Sequence, residues 1–501
     1  MMMRRLKDRR KYCLKYRCLK RRIKKLERKS GVLMHISSLP GEYSCGAFNE
    51  SAKKFVDFIK ECGFSYWQVL PFGIVDECNS PYKSYSAFAG NPYFIDIEAL
   101  NRNGLITHDE LEAQKQTTPY SCEYVRLYHS RLNLLREAAK RAANKDEITE
   151  FIAKNKYLDK FCTFMGLKAV NENLPWQEWK NDVPDEDEVF AWKFIQYYFF
   201  TQWKEIKAYA NDKGIEIIGD IPIYVSPDSA DVWAEREQFL LNEKGYPEMV
   251  AGVPPDYFAK DGQLWGNPIY DWNHMERDGF SWWGDRMCHM LDMFDGVRID
   301  HFRGVESYWG VPASEETAKN GKWYKGPGMK LVEKIHEVAG DKIVIAEDLG
   351  DITEDVYKLL EESGFPGMRV FQFAFLGDDN TPHLPHNYKN NCIAYSGTHD
   401  NNTLLGYLWE LDNEMRRKML EYCGYLSSDW ERGYDSILRT LFASHAGVLI
   451  LPIQDLLGYG SDTRMNIPGT AHGNWQFRIT EQQLYGIDKE KFKRFNALYK
   501  R

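Results

Sequence analysis

The sequence has no CxxC pair, and its ten cysteines are scattered without zinc-ligand spacing. That excludes a disulfide framework and a structural zinc module, and it points to reduced thiols in a cytoplasmic protein. No apolar run approaches the length that spans a bilayer, and the basic N-terminus lacks the apolar core of a secretory signal. A membrane partner is not expected. GxGxxG and GxxxxGK[ST] are both missing, so no loop is built to cradle a dinucleotide or a nucleotide. GxSxG is missing too, which argues against a serine hydrolase. His336-Glu337 runs on into Val338, Ala339 and Gly340 and fails the HExxH spacing, and no EF-hand loop occurs. No cofactor and no metal are expected. Positive charge is scarce outside one end: residues 1–30 hold 15 Lys or Arg against Asp8 and Glu27, which leaves residues 31–501 at −21 of the chain's net −8. An acidic body does not suit nucleic acid as its main partner and does suit a neutral substrate.

What is present is ordinary globular material, 501 residues with 43% hydrophobic and 28% charged, enough for one large core or several domains. Aromatics reach 14%, and their flat apolar faces with polar edges suit sugar rings as well as cores. Residues 1–30 cannot bury much apolar surface and repel themselves, so they read as a disordered, solvated tail. Residues 31–501 read as one catalytic domain with inserted subdomains at about 97–214 and 224–290. The first of these is mostly helical by pattern. The second contains GVPPDYFAKDGQLWGNPIYDW, where Pro and Gly preclude long helices and leave Tyr257, Phe258 and Trp265 on a loop.

From Gly31 short apolar runs alternate with amphipathic stretches. GVLMHIS at 31–37 reads as a first strand, Ser51–Cys62 as a helix with Phe55, Phe58, Ile59 and Cys62 at helical spacing, and YWQVLP at 66–71 as a second strand. A strand, a helix and a strand imply a parallel pair with a right-handed crossover. Further strands are predicted at Glu216–Ile223, Asp295–Gly304, Lys342–Gly350, Met368–Phe373, Cys392–Asp400 and Gly447–Gln454. Eight strands alternating with helices is the count of a (β/α)8 barrel, whose chemistry sits at the C-terminal ends of its strands. Asp220, Asp300, Glu347, His399 and Asp400 all fall at such ends. A doubly wound open sheet would also alternate, but it lacks its glycine signature here.

The stretch Asp295–Gly304, DGVRIDHFRG, organises the rest. Along a strand Arg298 and Asp300 share one face, while Val297, Ile299 and His301 share the other. A cation beside a carboxylate keeps it ionised, as a carboxylate nucleophile requires. An isolated RxD is more often a buried structural ion pair. What lifts it above that reading is that two later segments end in carboxylates as well. Glu347 follows IVIA, where desolvation would raise its pKa toward that of a proton donor. Two carboxylates flanking a bond serve retaining glycosyl transfer as nucleophile and acid/base, with His399 and Asp400 holding sugar hydroxyls. The same residues could ligate a divalent metal; residue types favour glycosyl chemistry.

Several long motifs appear in order: HISSLPG at 35–41, SPYKSYSAFAGNPY at 80–93, GDIPIYVSPDSADVW at 219–233, AGVPPDYFAKDGQLWGNPIYDW at 251–272, GVRIDHFRG at 296–304, IAEDLG at 345–350, LPHNY at 384–388, SGTHDNNT at 396–403 and RMNIPGTAHGNWQFR at 464–478. From Gly31 onward the chain resembles the amylomaltases, the 4-α-glucanotransferases of glycoside hydrolase family 77 in the α-amylase clan. The resemblance implies Asp300 as nucleophile, Glu347 as acid/base and Asp400 as the third carboxylate, which grips the donor ring. It further implies that Arg298 orients Asp300, that His399, Asp220, Ser80 and Tyr82 line the donor sugar, and that Asn474 lies near bound glucan. A lid carrying Tyr257, Phe258, Gln263 and Trp265 would cover the acceptor side, and the substrates would be α-1,4-glucans and maltooligosaccharides. The carboxylates serve hydrolases equally; transfer over hydrolysis is implied by the lid. The basic tail has no counterpart in the family's pattern, and no oligomeric state is implied.

Overall fold

The computed structural model describes residues 26–75, 78–255, 260–376, 380–427 and 430–501. Twelve strands occur among them. In chain order they are β1 (Lys29–Leu33), β2 (Tyr66–Gln68), β3 (Glu216–Ile221), β4 (Met249–Val253), β5 (Gln263–Pro268), β6 (Gly296–Ile299), β7 (Ser307–Pro312), β8 (Lys322–Lys325), β9 (Ile343–Ala346), β10 (Gly367–Val370), β11 (Cys392–Tyr395) and β12 (Val448–Pro452). Eight of these close a barrel in the order β1-β12-β11-β10-β9-β6-β3-β2, every neighbouring pair parallel. They are short runs of β-branched and aromatic residues buried along almost their whole length, as strands covered on both faces must be. The expected (β/α)8 barrel is present.

Helices between the strands bury one apolar stripe each. In Glu50–Glu61 that stripe is Ala52, Phe55, Val56 and Ile59; the Asn49 side chain caps its start by accepting from the Ser51 amide, and Gly63 follows its end at φ +79°. Between β2 and β3 the chain makes six α-helices from Ile97–Arg102 to Glu186–Asp212. The last is 27 residues long and buries Trp192, Phe194, Phe199 and Trp203 against the barrel and its neighbours. No helix among the described residues is long and apolar enough to cross a membrane.

Two differences from the sequence reading matter. The fold begins before Gly31: Lys29 and Ser30 are the first residues of β1, paired with Val448 and Leu449. Leu26 is buried, and the Arg28 guanidinium donates to the carbonyls of Tyr499, Ser444 and Phe442. A run of charge hides a single buried leucine and a strand edge, so composition placed the boundary too late; residues 1–25 lie outside the described residues. The other difference is a second sheet, antiparallel, in the order β5-β4-β7-β8. Gln263 and Trp265 stand on its strand β5, not on a loop. Its other half comes from Ser307–Lys325, beyond the segment 224–290. Glycines at 252 and 266, Pro268 and a bulge between Val250 and Gly252 break the alternation that would have marked it.

Candidate active site

Parallel register places Asp220 of β3 level with Arg298 of β6, so both side chains enter the barrel at one height. Arg298 Nη1 donates to both oxygens of Asp220 (2.8 and 2.7 Å), and Nη2 donates to Asp300 Oδ1 at 2.7 Å. Burial opposes the guanidinium charge, but the carboxylates of Asp220 and Asp300 raise its pKa well above the ordinary value. The cation is therefore permanent, and one arm of it grips each acid. Asp300 keeps Oδ2 without a hydrogen-bond partner among the described residues, turned to the barrel mouth one residue beyond β6.

Glu347 stands one residue beyond β9. Its Oε2 accepts from the His301 amide and its Oε1 from the Leu349 amide, both at 2.7 Å. Burial, and after it the charge of Asp300, pushes the carboxyl up to about 8, against the opposing pull of Arg298 and the two amides. Neighbouring carboxyls are thus held for opposite tasks. Asp300 is clamped to a cation, and Glu347 carries a proton at neutral pH.

Asp400 comes in from beyond β11. Its Oδ1 accepts from Asn466 Nδ2 at 2.6 Å, its Oδ2 lies 3.4 Å from His399 Nε2, and its carbonyl accepts from Arg464 at 2.6 Å. The side chain is 45% exposed, open to whatever occupies the mouth. Tyr82 donates to Asp220 at 2.6 Å and stacks on His399 with ring centres 5.2 Å apart, while Trp475 leans on both at 5.8 Å. Tyr82 and His399 lie face to face and Trp475 is tilted by 42° and 37° to them, so the three rings make an aromatic cluster that backs one side of the mouth, with Tyr82 its partly exposed member.

The structure brings Asp220, Arg298, Asp300, Glu347, Tyr82, His399 and Asp400 into this one mouth. Trp265 reaches it through His301, their rings perpendicular at 4.8 Å. Gln263 is exposed and accepts from Trp265 Nε1, and the Ser80 hydroxyl accepts from the Tyr82 amide. Asn474 is buried with its amide already engaged: Oδ1 accepts from Ile467 N, and Nδ2 donates to Thr470 O and Oγ1. It closes the loop that begins directly after Asn466. Tyr257 and Phe258 lie outside the described residues. Asn466, Arg464, His301 and Trp475 complete the site although sequence reasoning did not single them out; the signal was adjacency to Asp300 for His301 and residence in the 464–478 motif for the other three. Among the described residues no three His, Cys, Asp or Glu side chains are grouped to hold a metal ion.

The profile of glycoside hydrolase family 77, described as 4-alpha-glucanotransferase, matches residues 34–483. The chain belongs to this 4-α-glucanotransferase family. The enzyme is 44% identical over 488 residues to the 4-alpha-glucanotransferase of Clostridium butyricum, covering 93% of this chain and 100% of the relative. It is 42% identical to that of Thermus thermophilus, with 92% and 96% covered. The amylomaltase of Streptococcus agalactiae, solved in complex with acarbose, superposes on the enzyme with a TM-score of 0.90 at 38% identity, covering 95% of this chain and 100% of the other. The enzyme is a 4-α-glucanotransferase of amylomaltase type that acts on α-glucans.

Proposed function

We propose that transfer proceeds by retaining double displacement through Asp300 and Glu347, with maltooligosaccharides as donor and acceptor in the cytoplasm. Glu347 gives its proton to the glycosidic oxygen as that bond to the anomeric carbon breaks, and Asp300 Oδ2 forms the new bond to the carbon. The fragment carrying the reducing end leaves. Glu347, now a carboxylate, takes the proton of an acceptor 4-hydroxyl, whose oxygen attacks the same carbon and releases Asp300. Asp400 holds ring hydroxyls of the donor, and Tyr82, the partly exposed member of the aromatic cluster, packs against its ring.

The observation that carries this reading is the split environment of the two acids, one clamped by Arg298 and the other held up to about 8 by burial. Water at the acceptor position would give hydrolysis by the same steps. Trp265, set on a sheet that continues directly from the nucleophile loop, favours a bound sugar there instead. The test is purified enzyme with maltotriose. A ladder of longer oligosaccharides plus glucose, at constant total reducing ends, is the expected result. Reducing ends that rise without a ladder would mean hydrolysis.

A further inference from the structure

His301 follows the nucleophile and holds a backbone conformation that side chains rarely adopt, φ +51°. Histidine visits this left-handed region more readily than most residues, but it needs compensation there. The site supplies it in three places. Its amide donates to Glu347 Oε2 at 2.7 Å, its carbonyl accepts from Gly304 N at 2.9 Å, and its ring meets Trp265 at right angles with centres 4.8 Å apart. One residue therefore touches the general acid through its backbone and the antiparallel sheet through its side chain. Trp265 belongs to β5, and that sheet returns through β7, which begins at Ser307, six residues after His301.

We propose that His301 is a positioning residue that couples acceptor binding at Trp265 to the aim of the Glu347 carboxyl. His301 turns the chain between β6 and the helical turn Arg303–Glu306, both of which are held, so a change from the left-handed conformation there must be absorbed by rotating the peptides on either side, and the one before it carries the amide that faces Glu347. The perpendicular ring contact fixes where Trp265 stands relative to that peptide. An acceptor sugar seated on Trp265 is thereby registered against the oxygen that must remove its 4-hydroxyl proton. A water molecule gains nothing from the same contact, so the coupling favours transfer over hydrolysis. This inference rests on the double-displacement reading and on Trp265 facing the acceptor.

Two substitutions separate the functions of the residue. His301→Asn keeps a residue tolerant of the left-handed region and removes the ring. With maltotriosyl fluoride as donor, whose leaving group needs little acid help, its KM for glucose as acceptor is expected to rise about three- to tenfold, the worth of an edge-to-face ring pair. The share of hydrolysis rises with it, while the pH profile of maltotriose cleavage stays put. His301→Val disfavours the left-handed turn and withdraws the amide. Because that amide stabilises the carboxylate form of Glu347, the alkaline limb of maltotriose cleavage is expected to move up by about one pH unit.

Trp265→Ala and His301→Asn together are expected to raise acceptor KM no further than Trp265→Ala alone. If the two effects multiply, or if His301→Asn leaves acceptor KM unchanged, the coupling is wrong. An unmoved alkaline limb in folded His301→Val removes the amide's role; should that variant fail to fold, the Asn variant and the double substitution still decide the coupling. Wild-type enzyme run alongside keeps the two readings apart. If it makes no ladder from maltotriose the mechanism fails, whereas a wild-type ladder with unaffected variants overturns only the role of His301.

Discussion

A proton that sits on Glu347 at neutral pH has consequences for both rate and stability. Its carboxyl is raised to about 8 by burial and by the charge of Asp300, so the acid form is present below that value and cleavage of maltotriose should fall as pH rises through about 8. Glu347→Gln cannot donate, and maltotriose turnover should drop by about two to four orders of magnitude. Maltotriosyl fluoride, which needs no proton to leave, should still load Asp300 in this variant, and the glycosyl-enzyme, deprived of its base, should be visible in the mass of the peptide bearing Asp300. Stability moves the other way. A carboxyl whose pKa is raised on folding retains its proton in the native state where the unfolded chain has lost it, so the raised pKa adds no penalty at low pH and a progressively larger one between the unfolded value and about 8. Glu347→Gln should therefore melt higher than wild type at pH 8, with the difference vanishing near pH 4. A melting point that is lower at pH 8 would contradict the assigned cause of the shift.

The elements explain which of these residues could be read without a structure. Apolar runs such as IVIA and VLILP mark barrel strands because both faces are buried. Each strand is nevertheless shorter than its run of strand-like residues suggests, ending at Ile299, Ala346 or Tyr395. The chain leaves the ladder just before the functional group: Asp300 and Glu347 stand one residue past their strands, where a side chain enters the mouth. The antiparallel sheet was not legible, because its pairing joins segments on both sides of β6, the strand that leads to Asp300, and its glycines erase the alternation. Asn474 shows a further limit. A motif places it near the site, but only the structure shows that its amide closes the exposed loop from Ile467 to Gly473, which begins directly after Asn466, the residue that donates to Asp400. Asn474→Ala should open that loop to proteases faster than it lowers the melting temperature. It should raise the KM for donor as Asp400 loses its fixed orientation. Unchanged cleavage within 467–473 together with an altered donor KM would instead give Asn474 a direct hold on the glucan.

At the scale of the whole molecule the two ends of the described chain meet where the barrel closes. β1 pairs with β12 on one side and β2 on the other, so the ring shuts only if its first strand is seated. Arg28 and Arg501 both donate to the carbonyls of Phe442 and Ser444, and Arg501 also reaches the Lys29 carbonyl, which staples the first strand, the last helix and the entry to β12 into one corner. Burial lowers Arg501 to about 9, with the charge of Arg28 next in effect; the two guanidiniums are held by backbone oxygens and not by carboxylates. A chain started at Gly31 loses buried Leu26, the Arg28 hydrogen bonds and the first two residues of β1, whereas one started at Leu26 keeps them all. Removing a buried leucine side chain alone costs about 2–5 kcal/mol, and each hydrogen bond from a charged donor adds about 1.5–3 kcal/mol. The shorter chain should therefore melt well below the longer one, and it should lose transfer activity on heating before any substitution at Asp300 or Glu347 affects folding. Equal melting temperatures for the two would show that β2 and β12 hold the seam without Leu26, Arg28 and the first two residues of β1, and that the corner made by the two arginines adds nothing to closure.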